Sequence, residues 1–315
     1  MKKLRVIAFG GNALLRRDQV GTIDEQEQNV YETCQHLVGL LKEGHDLVIA
    51  HGNGPQVGNV LLQHEAGFRI YGLPKQPIDF CVAETQGSIG FMIEQQLRNV
   101  LAEHGIKRNI VSLITQVMVD KNDPAFQNPT KPVGPFYTLE EMAELKKEHP
   151  GWVFQEDPRK RGWRRVVASP RPIAIPNWEA VEKLARTGSI VITVGGGGIP
   201  AYTDEKGKMI GIDAVIDKDL ASALLANKIK ADEFCILTDV PNVFINFHKP
   251  GERKLGRVSI PEIKEHLAKG QFTEGSMAPK VRACIEFVEN GGKEAIITEA
   301  TQLENSDAGT VIYGK

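Results

Sequence analysis

The feature that most constrains this chain is a repeated handover from a short apolar run to a glycine loop and then to a helical pattern. Residues 6–9 lead into Gly10-Gly11-Asn12, residues 47–50 into His51-Gly52-Asn53-Gly54-Pro55, and residues 190–194 into Gly195-Gly196-Gly197-Gly198. These runs, with 110–114, 234–237 and 295–297, lack polar alternation, as strands covered on both faces do. Helical patterns fill the intervals at 25–43, 55–66, 84–104, 178–187, 213–226 and 279–290. Strand–helix alternation of this kind predicts an α/β fold, with a mainly parallel central sheet sandwiched by helices.

One stretch breaks the pattern. Residues 120–172 are proline-rich, with a short helix expected at 139–148 and strands at 152–155 and 164–168. Asp157-Pro158-Arg159-Lys160-Arg161-Gly162 supplies the turn between those strands. This reads as a protruding, hairpin-bearing subdomain. Its basic cluster, continuing to Arg164 and Arg165, reads as a solvated hairpin face more readily than as a surface for an acidic partner.

The chain has 315 residues, 41% of them hydrophobic, enough for one large α/β domain or two lobes around a sizeable core. A formal net charge of -2 argues against bulk electrostatic binding of nucleic acid or an anionic membrane. The cysteines Cys34, Cys81, Cys235 and Cys284 form no CxxC pair and sit beside no histidine cluster, so neither zinc nor a disulfide framework is expected. The first apolar run ends at Phe9, too soon for a signal peptide, and no later segment is long enough to span a membrane. A soluble, cytoplasmic protein is the expectation.

Parallel strands end on one edge of their sheet, so the three glycine loops are expected to open together where ligands bind in open α/β folds. A loop without Cβ atoms lets backbone N–H groups close on an anion, and Pro55 suits the first turn of a helix whose N-terminus adds positive charge. No loop supplies the Gly-Lys-Ser/Thr of a Walker A motif. Gly52-Asn53-Gly54-Pro55-Gln56-Val57-Gly58 has one residue too many for GxGxxG, and no acidic residue follows at the ribose-binding distance, which disfavours a Rossmann oxidoreductase. Three lysines stand near helix starts or between prolines: Lys131 in Pro129-Thr130-Lys131-Pro132, Lys218 in Ile216-Asp217-Lys218-Asp219, and Lys280 after Met277-Ala278-Pro279. A cation at a helix start opposes the helix dipole, and phosphate is a reason for it to be there. Phosphoryl transfer runs on positioning and charge neutralisation, for which lysines and backbone N–H groups are suited.

Gly10-Gly11-Asn12-Ala13-Leu14, His51-Gly52-Asn53-Gly54-Pro55-Gln56-Val57-Gly58 and Ala214-Val215-Ile216-Asp217-Lys218-Asp219 resemble motifs of the amino-acid-kinase superfamily. The second of these is similar to its carbamate kinase branch. So are Asn128-Pro129-Thr130-Lys131-Pro132, Gly134-Pro135-Phe136-Tyr137 and Gly275-Ser276-Met277-Ala278-Pro279-Lys280-Val281. The resemblance runs from Val6 to Ile312.

The resemblance implies an open αβα sandwich forming a single domain over 1–315, with a carbamate-binding lobe at 1–210, a nucleotide-binding lobe at 211–315, and a homodimer. It implies that Gly10, Gly11, Asn12, Gly52, Asn53 and Gly54 hold carbamate and the moving phosphoryl group. Lys131 would reach in from the subdomain, Lys218 and Lys280 would neutralise phosphates, and Asp219 would fix the lysines. Thr238, Asp239, Val240 and Met277, with Lys280, would border ATP or ADP, and Mg2+ would arrive on the nucleotide. The ligands implied are carbamate, carbamoyl phosphate and ATP/ADP, with no metal site of the protein's own.

Carbamate is already an anion and attacks phosphorus without a general base, which agrees with the lack of any His–Asp or His–Cys pairing. His51, at a strand end, is expected to orient or brace. The reaction is expected to run mostly from carbamoyl phosphate to ATP, as in arginine breakdown by the arginine deiminase route. Biosynthetic carbamoyl phosphate formation, a kinase for another carboxylate and a non-catalytic nucleotide sensor are the alternatives. The Lys131 segment argues against the second of these, and the full set of charged residues against the third.

Overall fold

The computed structural model describes residues 2–16, 18–157, 160–303, 305 and 308–314; Met1, Pro158 and Arg159 lie outside the described residues. Among those described, eight strands make the central sheet. Its spatial order is Arg257–Ser259, Thr310–Tyr313, Glu294–Thr298, Glu233–Leu237, Leu4–Phe9, Asp46–His51, Ile190–Ile192 and Ile110–Ser112. The last six are mutually parallel, and the first two run the other way. The absence of polar alternation has a direct cause. Val6, Ala8, Val48 and Ala50 enter one core cluster, while Ile7, Phe9, Leu47 and Ile49 enter the cluster on the opposite face. All four cysteines are buried and free.

Several helices differ from their expected limits. The 25–43 pattern is two helices, Ile23–Gln35 and Val38–Lys42. His36 and Leu37 bond back three residues instead of four, which tightens the chain without changing the apolar period. The helix expected from Glu84 begins at Ile78, and the one expected to end at Ala66 runs over Gly54–Tyr71. The helix expected from Asp213 begins at Lys218, because Asp217 takes an extended conformation and caps it.

The 120–172 region leaves the sandwich through Gln116–Val119 and returns through Pro172–Ala174, which pair antiparallel, so its two roots lie side by side. It carries the expected helix Leu139–Glu148 and three antiparallel strands: Lys131–Tyr137, Trp163–Val167 and Val153–Glu156. The Lys131–Tyr137 strand, where the sequence showed only a lysine between prolines, is the correction. It lies at the sheet's edge, where Pro132 and Pro135 cost few ladder hydrogen bonds. Asp157 N–H to the Gly162 carbonyl (2.9 Å) closes the hairpin. Arg161 is exposed and chelated by Asp157, whereas Arg164 is half-buried and donates to the Gly134 carbonyl of the neighbouring strand, so these arginines serve their own subdomain. The subdomain is seated closely: a Cβ on Gly58 would lie 2.7 Å from the Gly134 backbone.

Candidate active site

Phe9 and His51 are register partners on adjacent parallel strands, so the Gly10 and Gly52 loops open side by side. Gly10 also lies against the backbone of Leu237 and Thr238, so closely that no Cβ fits. That contact joins the first glycine loop to the 238–240 stretch, which follows the Glu233–Leu237 strand. Thr238 anchors this stretch through its N–H to the Thr298 carbonyl at 2.8 Å.

The charged residues converge beside the second loop. Asp219 is 3% exposed and holds two ammonium groups, Lys218 Nζ at 2.5 Å on one oxygen and Lys280 Nζ at 2.9 Å on the other. The Lys218 stem passes Gly52, whose missing Cβ would sit 3.5 Å from Lys218 Cδ. Burial alone would raise the Asp219 pKa, but the two lysines hold it well below the usual carboxylate range. Lys218 is pushed below its ordinary value by burial, with Lys280 adding repulsion against the attraction of Asp219. For Lys280, burial is outweighed by the Asp219 carboxylate and its pKa rises.

Asp217 received no role from the sequence, yet it ties the cluster together. Its Oδ1 accepts the N–H groups of Asp219 and Leu220, and its Oδ2 accepts Lys131 Nζ at 3.1 Å. One carboxylate therefore positions the helix bearing Lys218 and docks the subdomain lysine. An Asp two residues before another Asp at a helix start was the available signal, since Asp is a strong N-cap.

Two other helix starts meet here without a side-chain cap. Gly54–Tyr71 begins after Asn53, with Pro55 in its first turn, and Met277–Glu289 begins after Ser276. The start of the first, around Gly54, suits an anion, whereas at the second the Ala278 N–H is already taken by the Thr273 carbonyl at 3.1 Å. Gly11, Asn12 and Gly54 are exposed, as ligand-facing residues need to be.

Other expectations need correction. Gly195, Gly196, Gly197 and Gly198 are buried and do not open on the edge with the other loops. Gly196, Gly197 and Gly198 have φ of 64°, 90° and 92°, and a Cβ on them would strike Asn53, Ile216 and Val117 respectively. This loop is a packing device beneath the site. Asn53 points inward too: its amide donates to Thr85 Oγ1 at 2.9 Å, so its side chain is committed to the fold. His51 is 1% exposed and its Nδ1 meets the Gly52 carbonyl at 2.9 Å. Burial, with repulsion from Lys218, lowers its pKa to about 4, so it is a neutral brace at pH 7.

The chain was compared with known proteins. Residues 3–299 match the amino acid kinase family model. A carbamate kinase of Thermococcus kodakarensis is 50% identical over 298 residues, covering 94% of this chain and 93% of that protein. A carbamate kinase of Pyrococcus horikoshii is 49% identical, covering 93% and 92%. Among solved structures, a carbamate kinase from Giardia lamblia bound to AMP-PNP superposes with a TM-score of 0.92 at 43% identity, covering 100% of this chain and 99% of that one. With its parallel sheet, paired glycine loops and lysine–aspartate cluster, the chain belongs to the amino acid kinase family, in its carbamate kinase branch.

Proposed function

We propose that this enzyme is a carbamate kinase, catalysing ATP + carbamate = ADP + carbamoyl phosphate. The observation that carries the reading is Asp219 gripping Lys218 and Lys280 while Lys131 reaches the neighbouring Asp217 from the subdomain. Three cations are thereby held around the two exposed glycine loops, where a phosphoryl group flanked by two anions needs neutralising. Gly10, Gly11, Asn12 and the Gly52–Gly54 backbone receive carbamate and the moving group. Lys218 and Lys280 spread the charge developing on the phosphoryl oxygens. Thr238, Asp239, Val240 and Met277 border the nucleotide, so the carbamate half of the site lies in 1–210 and the nucleotide half in 211–315. The carbamate oxygen attacks as an anion, and His51, buried and bonded to Gly52, is not needed as a base.

Mg2+ enters as part of the nucleotide substrate. Both carboxylates of the cluster are engaged by lysines, which suits a cation that arrives already on phosphates. Carbamoyl phosphate is a mixed anhydride of higher transfer potential than ATP, which supports net ATP formation, with arginine breakdown as the supply. Phe80 and Phe91, 57% and 62% exposed, share one face of the Ile78–Glu103 helix and support a homodimer. Buried free thiols, and no described helix long and apolar enough to cross a membrane, support a cytoplasmic location.

The test supplies Mg2+, ADP and carbamoyl phosphate. ATP should form, and the reverse should proceed with ammonium and bicarbonate. Robust phosphorylation of acetylglutamate, glutamate or UMP would overturn the assignment.

A further inference from the structure

A cavity of 540 Å3 lies at the root of the subdomain, between the Gly54–Tyr71 helix and the Leu139–Glu148 helix. None of Lys131, Lys218, Asp219 and Lys280 lines it. Its volume falls within the usual range for small-molecule sites, and Leu61, Ile78, Val133, Tyr137, Leu145 and Trp152 supply apolar wall.

The charges in that wall are unequally matched. Lys75 pairs with Glu65 at 2.7 Å, and Arg69 pairs with Glu65 at 2.9 Å and Glu148 at 2.5 Å. Arg165 is the third cation. Among the described residues its guanidinium has no hydrogen bond and no ion pair; it stacks on the Trp152 ring at 4.0 Å. Trp152 also stacks on His149 at 3.9 Å, and His149 Nε2 is buried without a hydrogen-bond partner. Burial, only partly offset by the more distant Asp213, lowers the Arg165 pKa, as expected of a guanidinium short of an anion. A buried polar atom without a partner, as His149 Nε2 is, calls for a ligand, an ion or water, and the half-buried Arg165 guanidinium beside it has no anion of its own.

We propose that this cavity is a second ligand site, taking a small monocarboxylate with an apolar body, its carboxylate on Arg165 and its body against Trp152, Leu61 and Val133. The planar guanidinium fork matches one carboxylate. A single negative charge is selected because Glu141, Glu144 and Asp213 also line the cavity, beside the paired Glu65 and Glu148, and oppose a second. An occupant would touch both the sandwich, at Leu61 and Ile78, and the subdomain, at Tyr137 and Arg165. It would therefore favour the docked subdomain that brings Lys131 to Asp217.

Phenylacetate, phenylacetamide and inorganic phosphate serve as probes for calorimetry on the whole protein, with and without saturating ADP. Phenylacetate should bind once per chain whether or not ADP is present. Phenylacetamide should bind roughly tenfold more weakly or worse, since it lacks the charge that Arg165 meets. Arg165→Gln should abolish the difference between acid and amide. Should that variant fold poorly, the unaltered protein crystallised with 4-bromophenylacetate decides, because the bromine must lie in this cavity. Equal binding of acid and amide, displacement of phenylacetate by ADP, preferred binding of phosphate, or bromine elsewhere or absent would each overturn the proposal.

Discussion

At the sheet edge, Lys218 and Lys280 grip opposite oxygens of one buried carboxylate, and their side chains are 14% and 17% exposed. On the subdomain side, Lys131 holds a single oxygen of Asp217 and its side chain is 36% exposed. The first arrangement is fixed by packing: removing one partner strands a buried charge, at a cost of about 3–5 kcal/mol. The second is a half-open ion pair of the kind worth about 1 kcal/mol or less, which substrate can replace. One half of the site is thus permanently formed. The other rests on a weaker, more exposed contact made by the subdomain.

The largest effect should come from the permanent half. Lys218→Ala or Lys280→Ala should lower kcat by roughly 10² or more, the scale of lost electrostatic stabilisers. Because both lysines are largely buried against Asp219, each variant should also unfold at lower denaturant than the parent. Near-normal turnover in Lys218→Ala would remove that lysine from the mechanism.

Lys131→Ala should separate the halves. Turnover with carbamoyl phosphate should collapse while ADP affinity, measured by calorimetry, stays within about threefold, the scale of a weak, exposed ion pair. Equal losses in both would show that the lysine serves the nucleotide or the fold, and would break the comparison.

Acid should act on the permanent half first. His51 is held neutral in the fold, with its pKa near 4 against 6.5 as the ordinary value. A depressed pKa contributes stability that is complete above pH 6.5 and is lost as pH falls from there through about 4. Denaturation midpoints of His51→Gln should fall less steeply across that window than those of the parent. Parallel slopes would mean that His51 is not the acid-sensitive brace.

The smallest effect should be at Asp217. Asp217→Asn keeps a capping oxygen for the Lys218–Lys228 helix but weakens the hold on Lys131, so kcat/KM should change by about fivefold or less with stability preserved. Asp217→Ala should add a loss of about 1 kcal/mol in stability from the missing cap. Identical stability for the two variants would contradict the capping role.

Patterning along the chain was sufficient for the sandwich, because strands buried on both faces must be apolar at every position and glycines must follow where backbone meets ligand. The Leu4–Phe9 and Asp46–His51 strands and their loops are legible for that reason, and Lys218, Asp219 and Lys280 followed from the family motifs. What the sequence could not decide were contacts between segments far apart in the chain. Asn53 turns to Thr85, the Gly195–Gly198 loop is buried against Asn53, Ile216 and Val117, and Asp217 meets Lys131 across 86 positions. A proline-rich strand looks like a turn until a neighbour supplies the other side of its ladder, and Lys131–Tyr137 shows its strand character only against Trp163–Val167. Local propensity and apolar period act over a few residues, whereas register, burial of polar groups and ion pairing are properties of the packed whole, and only the tertiary structure determines them.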